Sequence, residues 1–97
     1  AVNNTLITMR DPSPIHWFNV ARHSYDSNDY ANAIRFYRRA IDIAPYLHEA
    51  HLGIALSFFQ LGQYNNAEQS LNQAIDNVND FTTRDLYESK LNALRNL

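Results

Sequence analysis

A chain of 97 residues and 11.2 kDa has room for one small domain with a modest core. Its 45% hydrophobic content is that of a globular sequence, and a net charge of −2 with a pI near 6.0 lacks the basic excess of a nucleic-acid binder. With no cysteine there are no disulfides or thiolate metal sites and the compartment stays open, and no apolar run approaches the length of a membrane span.

The opening AVNNTLITMR has no helical or strand period, and it lacks the charged start and long apolar stretch of a signal peptide. Residues 1–13 are expected to form an extended or disordered arm ahead of a domain spanning 14–97. The start at Ala fits either a processed protein or a piece of a longer one. Leu6, Ile7 and Met9 of the arm are candidate internal ligands.

Ser13 followed by Pro14 predicts an N-cap and first turn, and Trp17, Val20, Ala21 and Ser24 continue with helical spacing. Asn28 stands where a helix stops in the left-handed conformation, and Gly62 holds the equivalent place later. Asp29 is placed to cap a second helix with Tyr30, Ala33, Ile34, Tyr37, Ala40 and Ile41 along one stripe. The other side carries Arg35, Arg38, Arg39 and Asp42, read as a solvated basic patch in which Arg38 and Asp42 have ion-pair spacing. Pro45 ends this helix.

A third helix is predicted at about 47–61 and a fourth at about 64–77. The third is apolar nearly all round, so it is either buried on every side or covered by a partner. A fifth helix, entered through a capping box of Thr82 and Asp85, carries Leu86, Tyr87, Leu91, Leu94 and Leu97. The fold class is all-α: two helical hairpins and one further helix.

Two stretches nearly repeat each other: NDYANAIRFYRRAID from Asn28 and GQYNNAEQSLNQAID from Gly62, offset by 34 residues. The pairs Tyr30/Tyr64, Ala33/Ala67, Ala40/Ala74 and Ile41/Ile75 are kept. Together with Trp17-x2-Val20-Ala21, Ala33-x3-Tyr37, Pro45, Ile54-Ala55-x2-Phe58 and Ala67-x3-Leu71, this resembles the tetratricopeptide repeat. The resemblance implies an αα-superhelix of about five helices, with repeats at 14–47 and 48–81 and a capping helix at 82–97. It implies that the alanines at positions 21, 33, 40, 55, 67 and 74 sit where helices approach closely. The sequence departs from the pattern at His51, which replaces the tryptophan of the first copy, and at Asn79, which replaces the closing proline.

Such a resemblance implies a non-catalytic protein–protein interaction module that holds a peptide or partner segment in a concave groove lined by the first helix of each hairpin. On this chain those faces offer Phe18, Asn19, Arg22 and Tyr25, then Glu49, Leu52, Leu56 and Phe59, then Tyr87 and Lys90. One subgroup grips chaperone C-terminal carboxylates with basic and amide side chains; here the corresponding places hold Phe18, Arg22, Gly53, Thr83 and Tyr87, so that clamp is missing. The alternatives are a homo-oligomerisation or assembly domain, and a regulatory fragment of a larger protein. HEAH at positions 48–51 misses the zincin spacing by one residue, and no nucleophile, phosphate loop or carboxylate pair suggests catalysis or a cofactor.

Overall fold

The computed structural model describes residues 13–97, so all of the expected N-terminal arm but Ser13 lies outside the described residues. Five helices follow one another: α1 (Pro14–Asp26), α2 (Tyr30–Ile43), α3 (His48–Gln60), α4 (Tyr64–Asp76) and α5 (Phe81–Arg95). No strand occurs among the described residues.

The helix boundaries follow from local chemistry. Ser13 Oγ accepts the His16 N–H at 3.2 Å, and Asp29 Oδ1 accepts the Asn32 N–H at 3.4 Å. α1 and α3 end in the same way. The N–H of Asp29 donates to Ser24 O at 2.8 Å, as that of Gln63 donates to Phe58 O at 2.9 Å. The residue before each is left-handed, Asn28 with φ 63° and Gly62 with φ 75°. Nothing lies within 4 Å of where a Cβ would stand on Gly62, so alanine there meets only backbone strain. Gly62→Ala should cost about 1–2 kcal/mol and Gly62→Asn clearly less, as thermal melts of the two variants will measure.

The fifth helix begins differently from the expected capping box. Asp80, in extended conformation, accepts the Thr83 N–H at 2.8 Å, and the helix starts at Phe81. An ionised carboxylate one turn earlier takes the orphan N–H, which leaves Thr82 inside the first turn. That hydrogen bond also lowers the Asp80 pKa below its ordinary value.

Each helix packs chiefly on its neighbours in chain order, and the result is a slab measuring 55 × 30 × 17 Å. All six alanines expected at close approaches are buried, none more than 4% exposed. One apolar cluster gathers Ala21, Ile34, Tyr37 and Ile54; a second gathers Leu71, Val78, Tyr87 and Leu91. Between α2 and α3 the Tyr37 ring lies where a side chain on Gly53 would be, with its Cζ 2.4 Å from an ideal Cβ.

The arginines of α2 are exposed, as expected of a solvated patch, and each also lies over an aromatic ring. Arg39 lies 4.6 Å from the Trp17 ring, Arg35 5.3 Å from Phe36 and Arg38 5.8 Å from Phe58. The expected Arg38–Asp42 ion pair does not form; among the described residues Arg95 pairs with Glu68, and His48 Nε2 lies beside the Glu49 carboxylate. Aromatic faces from α1, from α3 and from α2 itself lie within reach of these guanidinium groups, and the planar cation stacks on them.

Candidate functional site

α3 is covered by the chain on only part of its circumference. Ala50, His51, Gly53, Ile54, Ala55 and Ser57 are buried, whereas Leu56 and Phe59 remain 37% and 38% exposed. These two belong to a groove of about 220 Å³ bounded by α3, α4 and α5.

Helical spacing builds its walls. Leu52, Leu56 and Phe59 recur at intervals of four and three on α3, and Lys90 and Leu94 follow the same spacing on α5, with Leu97 just past its end. Ala67 and Leu71 of α4 form the floor between them. The α3 and α5 backbones do not pack directly, so the two stripes face across a gap. The Phe59 ring is steadied by Tyr64, with centroids 5.4 Å apart. Every lining residue is apolar except Lys90, which forms no ion pair among the described residues.

A latch joins α3 and α5 beyond the end of these walls. Tyr87 is buried, and its hydroxyl lies 2.9 Å from His48 Nδ1, with the two rings edge to face. Burial first, then the Glu49 and Asp80 carboxylates, raise the Tyr87 pKa, so the phenol keeps its proton. The other imidazole nitrogen, Nε2, is 3.5 Å from Glu49 Oε1. Tyr87 and Glu49 are therefore parts of a strut. The buried Tyr87 ring is not an open anchor for a ligand.

The α1 residues lie apart from this groove. Phe18 is half-buried with its ring edge-on to Tyr37 at 5.5 Å, and Tyr25 is half-buried against Tyr30 at 5.3 Å. Asn19 and Arg22 are exposed and share a polar depression with His23 and Asp26. Of the ten residues expected to line one concave surface, Leu52, Leu56, Phe59 and Lys90 come together in the groove. Sequence reasoning left out Ala67, Leu71, Leu94 and Leu97. The i, i+4, i+7 spacing from Lys90 to Leu97 was the available signal, but on sequence alone it equally describes a packed stripe.

Among the described residues no three His, Asp or Glu side chains gather to hold a metal ion, and no helix is long and apolar enough to cross a membrane. A family model described as tetratricopeptide repeat matches residues 24–85, from the last turn of α1 to the first turn of α5. No curated protein matches the chain.

Proposed function

The chain belongs to the tetratricopeptide-repeat family, whose members are typically non-catalytic protein-interaction modules, and from that premise we propose that it binds an apolar polypeptide segment of a partner in the groove between α3, α4 and α5. The observation that carries this reading is the exposure of Leu56, Phe59 and Leu97 around an apolar trough that the chain itself leaves unfilled. Burial of one such side chain is worth about 1.5–3 kcal/mol, so a few anchors reach micromolar affinity. Lys90, exposed at the rim of the trough, adds a preference for an acidic residue beside the apolar anchors of the segment.

Selection from a displayed peptide library, followed by calorimetric titration, tests this. Selected peptides should pair apolar anchors with an acidic residue. Leu56→Glu and Phe59→Ala should each weaken them by about tenfold or more while the circular dichroism spectrum stays unchanged. Peptides that bind both variants as tightly as the parent would refute the assignment. Concentration-dependent self-association abolished by Leu56→Glu would instead give the groove to a second copy of the chain.

A further inference from the structure

Twelve residues precede Ser13 in the sequence, and three of them, Leu6, Ile7 and Met9, form a short apolar cluster. The described residues leave the groove between α3, α4 and α5 uncovered, with Leu56, Phe59 and Leu97 exposed around it. The point at which the segment joins the domain brings the two within reach of each other. Ser13 caps α1, so the segment leaves from the N-terminal end of that helix. The short turns at 27–29 and 44–47 make α1, α2 and α3 successively antiparallel. α1 and α3 therefore start at the same end, and they also touch each other.

Elementary dimensions set the reach. Leu52, Leu56 and Phe59 lie about 6, 12 and 17 Å along α3 from His48, at about 1.5 Å per residue. One interaxial step of about 9 Å, and about 5 Å more to the flank of α3 that faces α5, place them about 15, 18 and 22 Å from Ser13. An extended chain advances about 3.5 Å per residue, so Met9 reaches about 14 Å from Ser13, Ile7 about 21 Å and Leu6 about 25 Å. The three apolar residues of the segment and the three of the α3 wall are thus matched in span.

We infer that the segment before Ser13 lays Leu6, Ile7 and Met9 into the groove as a tethered competitor of the partner, a regulation that rests on the partner-binding reading of the same groove. Residues 1–10 contain no Asp or Glu. The segment therefore supplies apolar anchors and nothing for Lys90, and a partner that adds an acidic residue displaces it. A tether of this length sets an effective concentration of about 1 mM. A segment with an intrinsic Kd of about 0.1 mM then fills the groove about nine-tenths of the time and weakens a competing partner about tenfold.

The test uses the full chain and needs no partner for its first readout. The chain has no cysteine, so Thr5→Cys carries a single nitroxide label. Methyl resonances of Leu52, Leu56, Leu94 and Leu97 should broaden, and adding Leu56→Glu should remove the broadening at Leu94 and Leu97. Combining Leu6→Ser, Ile7→Ser and Met9→Ser should remove it as well. In the second readout the same triple variant should bind a peptide selected on the groove about tenfold more tightly than the parent. Groove methyls that stay sharp, or broadening spread evenly over α1 to α5, would overturn the inference. Broadening that arises only between molecules, in a mixture of nitroxide-bearing and isotope-labelled chains, would overturn it too and give the groove to a second copy. Broadening at the groove with no peptide ever selected upholds the segment as occupant and refutes the partner. A selected peptide with sharp methyls and equal affinity for parent and triple variant does the reverse.

Discussion

Gly53→Ala will lower the melting temperature by about 10 °C, although alanine is the better helix former. Substituting alanine for a mid-helix glycine normally stabilises by about 1 kcal/mol. Here the new Cβ would stand 2.4–2.7 Å from three atoms of the Tyr37 ring, a side chain only 4% exposed. The ring is also held edge-on by Phe18 of α1, so it has no free volume to retreat into. Overpacking of this kind costs about 1–3 kcal/mol, and three simultaneous contacts place it at or above the upper end. The net loss is about 2 kcal/mol, and each kcal/mol shifts the midpoint of a domain this size by about 4–8 °C. A double-mutant cycle isolates the cause. In a Tyr37→Leu background the clash is gone, and Gly53→Ala should become neutral or stabilising. An equal penalty in both backgrounds would refute the explanation. The chain's two glycines thus serve opposite ends, Gly62 for a backbone angle and Gly53 for a close approach.

Leu91→Ala should cost about 2–5 kcal/mol, with the damage confined to one end of the molecule. Leu91 is 7% exposed and packs in the cluster with Leu71, Val78 and Tyr87, which fastens α5 to α4. Beyond that seam α5 is tied to the rest by Tyr87–His48 and Arg95–Glu68. In a stack where each element leans on its neighbours, weakening one seam opens the outer element before the others. Amide exchange in Phe81–Arg95 should accelerate, while amides of α1 and α2 keep their protection. Uniform acceleration along the whole chain would mean that the slab opens as a single unit. Partner affinity should fall with the loss of α5, because Lys90, Leu94 and Leu97 depart with it.

Most of the fold could be read from the residues because its determinants are local or periodic. Ser13, Asp29, Asn28 and Gly62 act on backbone groups within one turn of themselves, and the alanines recur with the 34-residue offset. The start of α5 was misjudged because Asp80 and Thr82 are both competent caps, and choosing between them needs the direction in which the chain enters. The exposure of the α2 arginines was legible, but the faces of Trp17 and Phe58 that Arg39 and Arg38 meet depend on how α1 and α3 lie against α2. The candidate site was legible one helix at a time. Leu56 and Phe59 stood out because they left α3 more apolar than a one-sided helix requires. That Lys90 and Leu97 face them, and that the Tyr87 hydroxyl engages His48, depends on the splay between α3 and α5, which neither helix encodes alone.

The slab in which successive helices meet in order has a kinetic consequence. Nearly every tertiary pairing joins helices consecutive in the chain, so no long loop has to be closed before a contact forms. Such topologies reach the native state in microseconds to milliseconds, and nucleation at either hairpin suffices to start. Temperature-jump relaxation in that range, with faster phases at the ends than at α3, is the signature such an architecture leaves.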